Sequence, residues 1–302
     1  MSKSTKWFLA ILGIFLVTGV LFTVAIISMV GTMGSRTETV TTGSGDKIGV
    51  VELQGVITSS EDFVRQVKKF REQSSIRAIL IRIDSPGGGV VASQEMYEEV
   101  RKAREDGKPV VVSMGALAAS GGYYVACGAS RLVANRGTLT GSIGVISEFL
   151  QLHDLLGKVG VDVRTIKSGK LKDAGSSTRP MTDADQRYFQ ALMDDVHRQF
   201  ITVVQEERGL DSAEVRELAD GRVFTGEQAV EAGLVDTIGT YEDAILITAE
   251  LAGIDGEPSL VRERKRQTWL ESMTGEVTEQ IRAASEELLT WPVMSFRFTG
   301  RP

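Results

Sequence analysis

Short apolar runs alternate with helical patterns through the middle of the chain, and this alternation restricts the fold more than any other feature. Runs of strand length, rich in Val, Ile and Leu, occupy 47–53, 77–83, 110–114, 131–134 and 161–167. Helical patterns lie between or beyond them, at 60–73, 91–105, 182–208, 225–233 and 240–251. Strands that alternate with helices pair mainly in parallel, so the pattern predicts an α/β fold.

Local signals define some of these helices more closely. We expect Ser60, Thr182 and Thr225 to cap the helices that follow them, the last as part of a Thr-x-x-Gln capping box. In the first helix, Phe63, Val67 and Phe70 share one face, and this spacing predicts that they are buried.

One serine stands where a strand ends and a helix begins. Ser120 follows the run at 110–114 through small residues, and Gly121-Gly122 and the apolar 123–126 come directly after it. A helix start offers unpaired N–H groups and the positive end of a dipole, which stabilise a developing anion. The position suits a nucleophile, although a capping serine in a tight turn would have the same neighbours.

Two glycine-rich loops interrupt the alternation. Asp84–Gly89 ends in three glycines, and it lacks both the Gly-Lys-Ser/Thr of a P-loop and the spacing of a dinucleotide site. Its backbone N–H groups could form an oxyanion hole, or the glycines could simply allow positive φ in a turn. The second loop, Thr138–Gly144, carries Ser142 just beyond a strand.

A serine nucleophile needs a base, and the residues leave two kinds open. The two histidines, His153 and His197, fall in helix-like stretches, but a Ser-His-Asp triad does not require closeness in the chain. The polar loop 168–177 carries Lys170 and Lys172. A lysine has an ordinary pKa of about 10.4, so it acts as a base only where burial or a nearby cation lowers that value.

The N-terminus is typical of a membrane anchor. Trp7–Val30 is uncharged and long enough to span a bilayer as one helix, although a cleaved signal peptide is the alternative. Lys3 and Lys6 precede it, so the positive-inside rule leaves residues 1–6 in the cytoplasm and the remainder outside. Residues 31–46, rich in Thr, Ser and Gly, are expected to be a linker.

Composition excludes several classes of function. The net charge is −6, which gives no basic surface for nucleic acid. Cys127 is the single cysteine, so no intramolecular disulfide can form, and we expect it to be a packed thiol. Neither metal-ligand spacing nor a cofactor motif is present, so we expect no cofactor.

Six segments in order resemble the signal peptide peptidase A family, in its short, membrane-anchored, single-domain form. They begin at Asp84, Ala119, Thr140, Ser168, Gly221 and Gly233, and read Asp-Ser-Pro-Gly-Gly-Gly, Ala-Ser-Gly-Gly-Tyr-Tyr, Thr-Gly-Ser-Ile-Gly-Val, Ser-Gly-Lys-Leu-Lys-Asp, Gly-Arg-Val-Phe-Thr-Gly-Glu-Gln-Ala and Gly-Leu-Val-Asp. The resemblance implies a Clp protease/crotonase-like fold of repeated β-β-α units, preceded by one transmembrane helix, with the protease domain at 47–258.

The resemblance also implies the roles of the site residues. Ser120 would be the nucleophile and Lys172, rather than Lys170, the general base. Gly87, with Gly88, would supply the oxyanion hole, and Ser142 would hydrogen-bond the lysine. A protease for apolar peptides also needs an apolar groove, for which the candidates are Leu117, Ile143, Val145 and Ile146.

The implied activity is degradation of signal peptides left in the cell membrane, by a homo-oligomer of eight subunits whose protease domains are extracytoplasmic. Two other functions remain open: a catalytically silent membrane scaffold that binds peptides or partner proteins, and acyl-CoA chemistry on the same fold. Residues 259–302 would be a C-terminal extension. Apolar residues at helical spacing in 268–290 indicate an amphipathic helix that packs on protein or lies on the membrane.

Overall fold

The structure, a computed structural model, describes Trp7, Thr18, 37–265 and 295–297. Of these, 40–263 and 295–297 belong to one compact unit. The strands are β1 (Thr37–Thr42), β2 (Lys47–Gln54), β3 (Ile76–Ser85), β4 (Gly87–Gly89), β5 (Val110–Ala119), β6 (Arg131–Ala134), β7 (Leu139–Gly141), β8 (Val223–Thr225), β9 (Thr237–Ile238), β10 (Ser259–Lys265) and β11 (Ser295–Arg297). The helices are α1 (Glu61–Glu72), α2 (Val90–Glu105), α3 (Gly121–Ala126), α4 (His153–Lys158), α5 (Asp183–Arg208), α6 (Ser212–Leu218), α7 (Gly226–Glu231) and α8 (Tyr241–Leu251).

A largely parallel sheet forms the centre of this unit, as the alternating pattern predicted. The strand order is β1-β10-β2-β3-β5-β6-β9, and every pairing from β10 to β9 is parallel. β7 pairs in parallel with the end of β5, and β8 is antiparallel to β7. The α/β fold is therefore confirmed.

Helices cover both faces of the sheet. On one face, Phe63, Val67 and Phe70 of α1 are buried, as predicted, beside α2, α3 and α5. On the other face, Ala244 and Ala249 of α8 pack against residues of β2, β3, β5 and β6. Burial on both faces explains why the central strands read as unbroken runs of Val, Ile and Leu.

Two of the three predicted caps are present. Thr182 and Thr225 each accept a hydrogen bond from the backbone of the third helical residue, in complete capping boxes. Ser60 does not cap α1, because its hydroxyl donates instead to the carboxylate of Glu95 in α2.

The predicted strand at 161–167 is wrong. Their sequence is typical of a strand, but all of these residues are exposed and none belongs to a strand of the described chain. A strand needs a neighbour to satisfy its N–H and C=O groups, and none of the described residues pairs with this segment.

The boundaries of the unit also differ from the expected linker and extension. Thr37–Thr42, expected within the linker, forms the edge strand β1, and Ser259–Lys265, expected within the extension, forms β10 between β1 and β2. Most of the expected anchor and the helical pattern at 268–290 lie outside the described residues. No helix in the described ranges is long and apolar enough to cross a membrane.

Candidate active site

Ser120 lies at the junction of the central strand β5 and helix α3. Apart from glycines, only Ser120 (φ 54°) and Ser142 (φ 51°) have positive φ among the described residues. Such backbone conformations cost free energy and occur most often at functional sites. The N–H of Ser120 donates to the carbonyl oxygen of Gly141 at 2.7 Å, which fixes the junction against β7.

The helix that follows Ser120 is held rigidly in the core. The Tyr123 hydroxyl donates to the carbonyl oxygen of Leu234 at 2.8 Å, and Tyr124 is almost fully buried. A side chain on Gly122 would bring its Cβ to 3.0 Å from the Ser85 carbonyl oxygen, so the close approach of α3 to β3 favours glycine there. Cys127 is a packed thiol, as expected, and burial raises its pKa to about 12.

The glycine loop of β4 directs one N–H group toward the site. Gly87 donates its N–H to the Ser85 hydroxyl (3.1 Å) and accepts from Ile57, and Gly89 donates to the Ile57 carbonyl (2.8 Å). Because successive backbone groups alternate along a strand, the N–H and C=O of Gly88 face the opposite side, toward β11. Of the two expected oxyanion donors, the Gly87 N–H is thus engaged by the Ser85 hydroxyl, whereas the Gly88 N–H faces β11.

The start of α3 supplies a second backbone N–H beside Gly88. A Cβ placed on Gly121 would lie 3.1 Å from the Gly88 nitrogen, so the two glycines are in close contact. The first N–H groups of a helix have no partner within it. Sequence reasoning placed helix N–H groups near Ser120 but did not single out Gly121, whose signal is its position directly after the serine.

Ser142 and most of the expected groove residues line one cavity of about 400 Å³. Val145 and Ile146 are half-buried in its wall, whereas Ile143 also belongs to the core and is fully buried. Leu117 is half-buried at the end of β5, where it pairs with Leu139 of β7. Ser142 donates its N–H to the Arg222 carbonyl oxygen at 2.8 Å.

The two histidines are in different places. His197 lines the same cavity as Ser142, and its Nε2 is buried without a hydrogen-bond partner among the described residues. His153 begins α4 beside Asp154, with 3.2 Å between Nε2 and Oδ1, and lines a separate cavity. Within the described chain, no hydrogen bond joins either histidine to Ser120.

The loop that carries Lys172 is fixed at the residue next to it. Asp173 accepts from Arg179 (2.9 Å to Nε) and from Lys167 (2.5 Å), and these partners, Arg179 first, lower the pKa of Asp173 to about 2. Arg179 also donates to Asp185 in the first turn of α5 at 2.5 Å. The loop is therefore attached to the start of the long helix.

Lys172 itself is exposed, and no described residue forms a hydrogen bond or an ion pair with its ammonium group. The structure thus brings together Ser120, Gly88 and Gly121, and brings Ser142 together with the groove residues. It does not bring Lys172 into hydrogen-bonding contact with Ser120 or Ser142 within the described chain.

Comparison with known families decides the assignment. The family described as Peptidase family S49 matches residues 102–255. The chain belongs to peptidase family S49. The matched segment includes Ser120, Ser142 and Lys172. Membership of this family identifies the protein as a serine peptidase. A second family, described as Clp protease, matches residues 50–142, a range that includes the glycine loop. This match confirms the Clp protease-like fold.

Several relatives of this S49 peptidase are named as proteases. A Synechocystis protein named as a protease is 47% identical over 71% of this chain and 77% of its own length. An Enterococcus faecium protein named as signal peptide peptidase SppA is 37% identical over 67% of this chain. Protease 4 of Salmonella typhi is 33% identical over 83% of it. The chain spans 62% and 43% of the lengths of the last two. The expected resemblance to signal peptide peptidase A is therefore confirmed.

Proposed function

We propose that this S49 peptidase is a membrane-anchored serine endopeptidase with a Ser120–Lys172 dyad. The observation that carries the proposal is the strained turn at Ser120, with the N–H groups of Gly88 and Gly121 beside it. Two backbone donors next to a serine are what an oxyanion hole requires.

The proposed mechanism uses these groups in sequence. The Ser120 hydroxyl attacks the carbonyl carbon of the substrate, and its proton passes to the free amine of Lys172. The negative oxygen accepts hydrogen bonds from Gly88 and Gly121, and the lysine then gives the proton to the leaving amine. Water hydrolyses the resulting ester by the reverse path. Ser142 would orient the lysine amine toward Ser120 by a hydrogen bond.

Assembly would complete this site. The segment from Leu150 to Leu171 exposes apolar side chains, including Ile166, whose side chain is entirely exposed. Apolar surface of this kind indicates a protein–protein interface. Because Lys172 has no partner in the described chain, we propose that a homo-oligomer, an octamer as the resemblance implies, places the lysine of one subunit beside the serine of another.

The substrates proposed are signal peptides that remain in the membrane. This rests on the name of the Enterococcus relative and on the apolar side chains in the groove. Residues 7–30 would anchor the enzyme, with the protease domain on the extracytoplasmic side.

The test is hydrolysis of a signal peptide by the full chain in detergent. We expect Ser120→Ala and Lys172→Ala each to lower kcat/KM at least about a thousandfold, because nucleophile and base act as a unit. Lys170→Ala, two residues away in the same loop, is the matched control and should stay active. If Lys172→Ala stays active, the base is another group. The next candidate is His197, which lines the same cavity as Ser142.

Mixing the two inactive variants tests the shared site. If subunits exchange, a mixture of equal amounts of Ser120→Ala and Lys172→Ala protein should recover about a quarter of the sites, since each site draws on two subunits. A mixture that stays inactive after exchange would place both residues in one subunit. Failure of the unmodified enzyme to react with a serine-directed probe would instead favour the silent scaffold.

A further inference from the structure

The strand that leads to Ser120 is irregular shortly before it ends. The pairs between β3 and β5 on either side of the irregularity are Ile83 with Met114 and Ser85 with Ala118. One residue of β3, Asp84, therefore lies opposite the stretch 115–117 of β5, which forms a β-bulge. A bulge bends its strand and changes the direction of the residues beyond it.

The bulge lies where β5 exchanges one neighbouring strand for another. Residues 111–113 pair with β6, whereas residues 117–119 pair with β7. The regular ladder that satisfies the N–H and C=O groups of a central strand is thus interrupted at this point. Buried backbone groups without a ladder partner need other hydrogen-bond partners.

Side chains supply partners at the start of the bulge. Arg82 donates to the Met114 carbonyl oxygen at 3.1 Å, and the Thr138 hydroxyl donates to the Gly115 carbonyl oxygen at 2.7 Å. A Cβ on Gly115 would lie 2.7 Å from a carboxylate oxygen of Asp84. The carboxylate of Asp84 is therefore packed directly against the bulge.

Two further bonds hold the end of the bulge, next to Ser120. Asp84 accepts from the N–H of Leu117 at 3.1 Å, and the Thr140 hydroxyl donates to the Ala118 carbonyl oxygen at 2.7 Å. Thr140 is fully buried. Asp84 and Thr140 each begin one of the segments on which the family resemblance rests, yet neither has a role in the proposed mechanism.

The conformation of Ser120 explains why such support is needed. Its φ of 54° is strained, and a strained backbone persists only where the surrounding structure fixes it. The Ser120 N–H is bonded to Gly141 of β7, and Thr140, the neighbour of Gly141, is bonded to the residue two before the serine. Two adjacent residues of β7 thus hold the turn at both ends.

We propose that Asp84 and Thr140 are positioning residues, whose bonds to the bulge fix the position from which Ser120 attacks. The inference rests on the proposed function, in which Ser120 is the nucleophile. Both residues act through β5 rather than on the substrate. A displacement of about 1 Å in a reacting group can cost about a hundredfold in rate, so loss of either bond should lower kcat and leave KM unchanged.

The first test compares two buried threonines in the full chain in detergent, with a signal peptide as substrate. Thr140→Val removes the donor to Ala118, and we expect kcat to fall about tenfold or more. Thr140→Ser keeps the hydroxyl and should restore most of the activity. Thr248→Val is the matched control, because Thr248 is also fully buried and donates to the Ala244 carbonyl oxygen at 2.6 Å in α8, on the opposite face of the sheet. Its kcat should be unchanged.

The second test uses the carboxylate. Asp84→Ala removes the acceptor for the Leu117 N–H and should lower kcat about tenfold, again without a change in KM. Asp84→Asn keeps an oxygen that can accept this bond and should retain most of the activity. Because Asp84 is exposed, its replacement leaves the core packing in place. This pair therefore decides the question if Thr140→Val does not fold.

Hydrogen exchange examines the bulge without catalysis. Mass spectrometry follows the amide hydrogens of residues 115–122 in each variant. Local loss of hydrogen bonds lowers the free energy of local opening, so exchange should be faster in Thr140→Val and Asp84→Ala than in the unmodified protein. In Thr248→Val, exchange of this segment should be unchanged.

The inference would be overturned by an unchanged kcat in both Thr140→Val and Asp84→Ala, or by exchange of 115–122 that matches the Thr248→Val control. A loss of activity that neither Thr140→Ser nor Asp84→Asn restores would also contradict it. Failure of the unmodified enzyme to hydrolyse any peptide would remove the proposed peptidase chemistry alone. Faster exchange confined to the two variants would in that case still support control of the Ser120 backbone by Asp84 and Thr140.

Discussion

At the scale of single residues, the site depends on backbone positions where a side chain does not fit. Gly88 contacts Ile57 so closely that an added Cβ would lie 2.1 Å from the Ile57 carbonyl oxygen. The neighbouring Gly89 has room, with the nearest such atom at 3.6 Å and no positive φ. The two glycines look alike in sequence, but only position 89 has room for a side chain.

This difference gives a paired prediction. Gly88→Ala should lower kcat about a hundredfold or more, because the displaced loop no longer directs its N–H at the oxyanion. Gly89→Ala should keep most of the activity. The measurement is kcat for both variants, with circular dichroism to show that each is folded. Equal loss in both would mean that the loop acts only as a turn.

The sequence was informative about Ser120 and less so about the donors around it. Small residues after an apolar strand are a local signal, so the strand–serine–helix junction could be predicted. The direction in which each glycine N–H points depends on Ser85 and Ile57, and the second of these is about thirty residues away in the chain. No local pattern reports such a contact.

At the scale of elements, the segment between β7 and α5 differs from the remainder of the unit. A strand was predicted at 161–167 as one of the short runs rich in Val and Ile, yet the described chain provides no partner for it. The parallel strands were predictable because each is apolar on both faces. The exposed segment is attached instead through charges at its end, where Arg179 joins Asp173 to Asp185.

Acid should weaken this attachment in a defined range. The pKa of Asp173 lies near 2, below its usual value of 3.8, so its contribution to stability is complete above pH 4 and is lost as the pH falls from 4 to 2. We expect the difference in free energy of unfolding between the unmodified protein and Asp173→Asn to be constant above pH 4 and to shrink below it.

The same substitution should also reduce activity at neutral pH, because Asp173 holds the loop that carries Lys172. Asp162→Asn is the control, since Asp162 pairs with Arg164 on the surface of the same segment, where ion pairs contribute little. If Asp173→Asn and Asp162→Asn behave alike in both measurements, the attachment has no role in stability or activity.

At the scale of the whole molecule, the exposed apolar segment predicts the assembly state. Replacing Ile166 by Asp should shift the protein in detergent from oligomer to smaller species, because each buried isoleucine contributes about 1.5–3 kcal/mol. Leu246→Asp is the control, since Leu246 is also exposed but lies on α8, away from this segment in the chain. Light scattering measures both, and an unchanged mass for Ile166→Asp would contradict the interface.

The position of β11 could not be predicted from the sequence. Its partners, β4 and Ile146, are about 200 and 150 residues away in the chain, and a three-residue strand has no periodicity to detect. Residues 295–297 therefore carried no signal in the sequence, whereas the six family-like segments, each local and in order, were sufficient to indicate the family.

The two members of the proposed dyad lie on parts of the molecule with very different local stability. Ser120 directly follows β5, which pairs on both sides within the core, while Lys172 belongs to an exposed loop attached through a few ion pairs. Segments with few buried contacts open at a lower free-energy cost than core strands. On warming, the loop that carries Lys172 should therefore open before the core unfolds, so that activity is lost while the fold is intact and returns on cooling. The midpoint temperature for loss of activity would then lie below the Tm of the fold.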